Sequence, residues 1–152
     1  ERQLALDAPL LEQRNQRLVK DLTPGIVVIG DASLLGRVAG NLLSNASLYS
    51  PEGAEVRVWC GLLDGSPALT VENIGAHISE KALPHLFEAF YREETSRNRA
   101  TGGSGLGLYL VKMILARHGA ECTIENTEDG VRAAVRFETD AVSGLAAGNM
   151  IG

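Results

Sequence analysis

Two stretches of this chain alternate apolar and polar residues and then double back through an Asp-Gly pair. That arrangement limits the possible folds more than any other feature. EVRVWC (residues 55–60) is followed by Asp64-Gly65 and then ALTVEN (residues 68–73). CTIEN (residues 122–126) is followed by Glu128-Asp129-Gly130 and then VRAAVRF (residues 131–137). A period of two predicts strands, and Asp-Gly supplies the positive φ angles that a tight antiparallel return demands. In the second pair Val131, Ala133, Val135 and Phe137 fall on one face. A hairpin with one apolar face is marginal alone, so both faces must be covered by something else.

Helices supply the cover. Residues from about Ala32 to Leu48 read as a long helix capped by Asp31 or Ser33, with Leu35, Val38, Ala39, Leu42, Leu43 and Ala46 in one apolar stripe. A second helix follows the glycines of GGSGLGLYLVKMI (residues 102–114) and stops at His118-Gly119. Shorter helices are expected over Pro9–Gln16 and from Ser79, as cap, to about Phe90. RLVKD and IVVIGD, on either side of Thr23-Pro24-Gly25, are expected to form one more strand pair. The sum is an α+β chain: a two-layer α/β sandwich whose mixed, mostly antiparallel sheet packs against about three helices over residues 1–137. Residues 138–152 show no period and are expected to be a disordered tail or a remnant of cloning.

At 152 residues the chain has room for one domain with a real core. A net charge of −5 argues against a nucleic-acid partner held by phosphate contacts. No apolar run approaches the roughly 20 residues that span a bilayer, so no membrane contact is expected of this domain. Cys60 and Cys122 lack metal-ligand spacing and are expected to be buried reduced thiols, which suits a cytoplasmic location.

The glycine-rich stretch raises the question of phosphate binding. A Walker A loop needs Lys and then Ser or Thr after its last glycine, where this chain has Leu108 and Tyr109. A dinucleotide fingerprint fits Gly103 and Gly105 but fails at Leu108, and the preceding YREETSRNRAT is polar rather than a strand. What survives is general: glycines admit a ligand close to the backbone, and a new helix offers free N–H groups and the positive end of its dipole. An ordinary turn is the alternative. In the long helix Asn41 and Asn45 stand four apart and share a side. They form either a solvated face or a pair of neutral amide oxygens that complete the shell of a Mg²⁺ otherwise held by phosphates and water. In VENIGAHI (residues 71–78) Asn73 could accept a hydrogen bond from an exocyclic amine such as that of adenine, with Gly75 allowing close approach; the alternative is an Asn-led turn.

In their order along the chain, these segments resemble one family. RVAGNLLSNASLYSPEG resembles the N box, VENIGAHI the G1 box, LFEAFYR the F box and GGSGLGLYLVKMI the G2 box of sensor histidine kinases, over roughly Ile26 to Phe137. These kinases belong to the wider group with gyrase B, Hsp90 and MutL. The run FEAFYREETSRNRATGGSGLGLYLVK also resembles the vancomycin-resistance type of sensor. The resemblance implies an ATP-binding catalytic domain of a two-component protein-histidine kinase, with ATP and Mg²⁺ as cofactors. Gly103, Gly105, Leu106 and Gly107 would cradle the phosphates, under a lid formed by residues 91–102 in which Arg92 and Arg97 could pair with them. Asn45, with Asn41, would hold Mg²⁺; Tyr49 would lie near the nucleotide; Asn73 would read adenine. Phe87 and Phe90 would anchor the base of the lid in the core. No residue is assigned as catalytic in the narrow sense, because phosphoryl transfer depends on positioning and charge neutralisation.

The pattern has three departures. Asn73 stands where most members have Asp, His77 replaces the second G1 glycine, and Leu48 replaces a frequent Lys. None of His77, His85 and His118 is followed by Asp or Glu, as the phosphoacceptor His of the family is. The acceptor is therefore expected on a separate dimerisation domain, with any membrane-anchored sensor also upstream of Glu1, a response regulator as further partner, and the isolated domain a monomer. Two other readings share these motifs: a nucleotide-sensing interaction module with little turnover, and a serine kinase of the anti-sigma-factor type.

Overall fold

The computed structural model describes residues 2–91 and 106–138. Three helices cover one face of a five-stranded sheet. In chain order the elements are α1 (Arg2–Gln13), β1 (Arg17–Leu22), α2 (Ala32–Tyr49), β2 (Glu55–Leu63), β3 (Ser66–Ile74), α3 (Gly107–Ala116), β4 (Ala120–Asn126) and β5 (Gly130–Phe137). The strand order is β1-β2-β3-β5-β4, with β1 parallel to β2 and every other pairing antiparallel. The α+β sandwich expected from the two hairpins is what the chain forms.

Both hairpins close where the sequence places them. Asp64 and Gly65 have φ angles of 51° and 79°, the positive pair that a two-residue return requires. The sheet presents Val56, Val58, Val71 and Val135 to Val38, Leu42 and Leu43 of α2 and Val111, Ile114 and Leu115 of α3, all buried in one cluster. Fully burying a side chain of this size contributes about 1.5–3 kcal/mol, so this layer dominates the stability of the fold. On the opposite face Arg57 pairs with Glu55, and Arg132 pairs with Glu72 at 2.7 Å.

Helix α2 runs from an Asp31 N-cap, whose carboxylate accepts the Leu34 N–H at 2.9 Å, to Ser50. Its C-terminal carbonyls meet a buried side chain from another element. Gln16 Nε2 donates to Ser47 O at 2.9 Å and to Pro51 O at 3.3 Å, while its Oε1 accepts the Ser47 hydroxyl at 2.6 Å. Arg14 adds a bond to Ser50 O at 3.0 Å.

Three local expectations are corrected. Helix α1 begins at Arg2 and contains Pro9, rather than starting at Pro9. Leu4 and Leu11 are both buried and lie seven residues apart on one stripe, so packing outweighs the hydrogen bond that Pro9 forgoes. Gly36 and Gly40 of α2 admit this helix, since a Cβ at Gly40 would lie 3.0 Å from the Gln3 amide. Residues 26–30 form no strand with β1, which pairs in parallel with β2 instead. Val28 there is packed against the core, so its apolar character reflects burial and not a ladder. Finally, the segment from Ser79 to Phe90 holds only a one-turn 3₁₀ helix at Leu83–His85. Ser79 does accept the Ala82 N–H on its hydroxyl at 3.2 Å, but the later bonds, His85 to Ala82 and Glu88 to His85, span three residues each. Pro84 contributes no N–H, and the segment continues as successive tight turns.

Candidate functional site

The site is built along α2. Asn41 and Asn45 project one turn apart toward the first turn of α3, where Asn41 Nδ2 donates to Gly107 O at 3.2 Å. A Cβ at Gly107 would stand 3.8 Å from Asn45 Oδ1, in van der Waals contact, so this glycine lies directly against the amide of Asn45. Leu106 occupies the N-cap of α3 and has no side-chain atom able to cap it, and the first bond inside the helix is Leu110 N–H to Leu106 O at 2.9 Å. The leading N–H groups of α3 therefore have no partner within their own helix and carry the positive end of its dipole. Two neutral amides and a helix start whose N-cap residue is a leucine thus face one small region. That combination suits an anionic ligand and a hard cation brought in with it.

Farther along α2, Tyr49 is 42% exposed on the last turn, and Pro51 just past the helix faces Gly75 on the opposite loop. A Cβ at Gly75 would lie 3.4 Å from Pro51 Cγ, and the φ of Gly75 is 84°, which a side chain would strain. Asn73 is 7% exposed on β3, in the row that joins Val56 on β2 to Val131 on β5. It therefore points to the same side of the sheet as the helices. From Asn41 to Tyr49 the helix rises about 12 Å, so a ligand lying along it would meet Gly107 at one end and Gly75 at the other.

Of the residues singled out from sequence, Asn41, Asn45 and Gly107 are brought together, Leu106 adjoins them, and Tyr49, Asn73 and Gly75 mark the far end. Arg92, Arg97, Gly103 and Gly105 lie outside the described residues, as does nearly all of the expected lid. Phe90 corrects an expectation: it is 72% exposed with a φ of 65°, so it does not anchor anything in the core. Its partner Phe87 is half-buried.

Two polar contacts that fix these elements escaped the sequence reading. His118 Nδ1 donates to Ile114 O at 2.7 Å while its Nε2 accepts the Asp31 N–H at 3.1 Å, tying the end of α3 to the start of α2 through a neutral ring. A Cβ at Gly30 would lie 2.5 Å from the His118 ring, so any side chain at position 30 would force the ring to shift. The second contact is Asn126, at the end of β4, bonded to the loop that follows β3. Position at a strand end marked Asn126 only as a turn residue.

Among the described residues no three carboxylate, imidazole or thiol groups converge into a metal cage. Thiol chemistry is also disfavoured: burial pushes the Cys122 thiol up to about 12, and raises that of Cys60 for the same reason. No helix among the described residues is long and apolar enough to cross a membrane.

Residues 30–142 match the family described as histidine kinase-, DNA gyrase B-, and HSP90-like ATPase. Sensor protein VanSB of Enterococcus faecalis is 40% identical over 122 residues, which cover 80% of this chain and 27% of that protein. The sensor histidine kinase CusS of Escherichia coli is 42% identical over 105 residues, 69% of this chain and 22% of CusS. Among solved structures, the mycobacterial sensor histidine kinase MprB superposes with a TM-score of 0.77 at 29% identity, over 90% of each chain. The chain thus spans about a quarter of the length of the curated relatives it matches. The order of elements, the glycine-opened helix set against two asparagines, and these likenesses agree: the chain belongs to the histidine kinase-, DNA gyrase B- and HSP90-like ATPase family, as the ATPase-type domain of sensor histidine kinases.

Proposed function

We propose that this domain binds Mg·ATP along α2 and presents the γ-phosphate to a histidine on a separate dimerisation domain, whose phosphate then passes to a response regulator. The observation that carries the reading is the junction of Asn41 and Asn45 with the glycine-opened start of α3 at Gly107. Its chemistry fits Mg·ATP. Carboxylates there would repel a triphosphate, whereas amide oxygens accept a share of a cation whose charge the phosphates already offset.

Bound ATP supplies the transferable phosphoryl group, and Mg²⁺ supplies charge neutralisation. The residues of this chain orient it. Asn45, with its Oδ1 beside Gly107, and Asn41, through its own carbonyl oxygen, hold the cation side. Asn41 Nδ2 is meanwhile spent on Gly107 O, which fixes α3 relative to α2. The N–H groups opening α3 receive phosphate oxygens, assisted by Gly103, Gly105, Arg92 and Arg97 from the segment before it. At the far end Asn73 accepts from the adenine amine, Gly75 allows the base to approach the backbone, and Tyr49 flanks it. Calorimetric titration of the domain with ATP, with and without Mg²⁺, tests the reading. Binding that strengthens with Mg²⁺ is expected, and no heat at millimolar ATP would overturn it.

A further inference from the structure

The loop leaving β3, residues 75–78, lies beyond the last ladder pair of that strand, Ile74 with Gly130. Its backbone is nevertheless held, and from one direction: the β4–β5 hairpin. Asp129 O accepts the Gly75 N–H at 2.9 Å. At the other end of the loop Asn126 bonds both backbone groups of a single residue: its Oδ1 accepts the Ile78 N–H at 2.9 Å and its Nδ2 donates to Ile78 O at 2.7 Å. A carboxamide offers a donor and an acceptor side by side in one plane, so Asn126 does for Ile78 what a neighbouring strand would do. Close approach of the hairpin is enforced at Gly130, where a Cβ would lie 2.1 Å from Asn73 O. Asn73, Gly75 and Ile78 are thereby all located by contacts with the stretch from Asn126 to Gly130.

We propose that Asn126 is a positioning residue: its amide fixes loop 75–78, and through that loop the end of the site where the nucleobase rests, without itself touching ligand. The proposal rests on the nucleotide reading given above. Asn126 is half-buried at a strand end, so its removal leaves the apolar cluster between sheet and helices intact and acts on the loop alone. Chemistry at position 126 should then matter more than size. The Asn126→Asp substitution would place a carboxylate oxygen against Ile78 O with no proton between them, which disfavours the ionised form of the new side chain and raises its pKa. Once protonated, the acid again offers one O–H and one acceptor, and the pair of bonds returns.

The test compares the wild-type domain with Asn126→Ala and Asn126→Asp, by Mg·ATP titration and by amide hydrogen exchange without ligand. At pH 7.5 both variants should bind Mg·ATP about tenfold more weakly, the scale of one lost buried hydrogen-bonding group. The Ile78 amide should exchange faster, while Leu42, Leu43 and Val111 keep their protection. As pH falls toward about 5, the affinity of Asn126→Asp relative to wild type should recover and that of Asn126→Ala should not. Unchanged affinity in variants of a domain that binds ATP overturns the inference, as does a loss of affinity in Asn126→Asp that stays the same at every pH. Absence of ATP binding by the wild type would instead overturn the proposed function, and exchange at Ile78 would still decide whether Asn126 holds the loop.

Discussion

The two helix ends that border the site are finished in opposite ways. At the C-terminus of α2 the free carbonyls are taken by Gln16 and Arg14 from the neighbouring segment and by the Ser50 hydroxyl, in an environment where Gln16 is 6% and Ser47 0% exposed. At the N-terminus of α3 the cap position is a leucine, a glycine follows, and the nearby amide of Asn45 makes no hydrogen bond to another described residue. Every helix end has unsatisfied backbone groups, so the contrast is informative. Where the fold needs the end, the sequence supplies buried partners. At the start of α3 the N-cap residue, Leu106, supplies no side-chain cap. Asn41, which donates to Gly107 O, ties this end of α3 to α2 beside the Asn45 amide.

Breaking the closed end should have the largest effect. Gln16→Ala would strand the hydroxyl and the carbonyl of Ser47 in the interior, at a cost of about 2–4 kcal/mol. Urea unfolding should show that loss, and a variant within about 0.5 kcal/mol of wild type would mean that the end is not closed in solution. At the open end Asn45→Ala should leave stability within about 0.5 kcal/mol of wild type, as an amide without protein partners would. It should weaken the Mg²⁺-dependent part of ATP binding about tenfold, or about 1.4 kcal/mol. An equal fall with and without Mg²⁺ would place Asn45 among the structural residues.

Gly107→Ala sharpens the comparison because its two effects have opposite signs. Alanine is favoured over glycine inside a helix by up to about 1 kcal/mol, so denaturation should show a small gain in stability. ATP titration should show a loss, because the added methyl would lie against Asn45 Oδ1 and hinder a ligand's approach to it. A variant both more stable and equally able to bind would remove Gly107 from the site.

The last effect concerns the sheet, far from either helix end, and leaves stability at neutral pH unchanged. Cys122 has its thiol raised to about 12 by burial, from an ordinary value of 9.0. The folded state therefore holds that proton more tightly than the unfolded chain does. The resulting stabilisation is complete below pH 9 and is lost as pH rises from 9 toward 12. Iodoacetamide at about pH 8, below the ordinary thiol value, should accordingly modify Cys122 far more slowly in the folded domain than in urea. Equal rates would show the thiol to be accessible and ionised.

Much of this architecture follows from local pattern. Period-two alternation with Asp-Gly returns specified β2–β3 and β4–β5, because side chains alternate across a strand and only certain residues accept positive φ. The Asp31 cap and the stripe at Val38, Leu42, Leu43 and Ala46 specified α2, and the asparagine pair with the glycines after it pointed to the junction at Gly107. What the sequence left open depends on partners distant along the chain. The parallel pairing of β1 with β2 joins Arg17 to Glu55 across a helix, and no residue near Arg17 encodes which strand it will meet. The length of α1 was set by the buried leucines it lays on α2, against the local preference of Pro9. Gln16 with Ser47, His118 with Asp31, and Asn126 with Ile78 are separated by 31, 87 and 48 residues. Each is an ordinary polar residue until the fold encloses it, and burial then turns a weak local preference into a fixed contact, because an unpaired polar group away from water is costly. Hairpins, helix α2 and the order of the motifs were thus determined by sequence alone; which helix ends are closed, and which side chain steadies the loop at Gly75, were decided by tertiary structure.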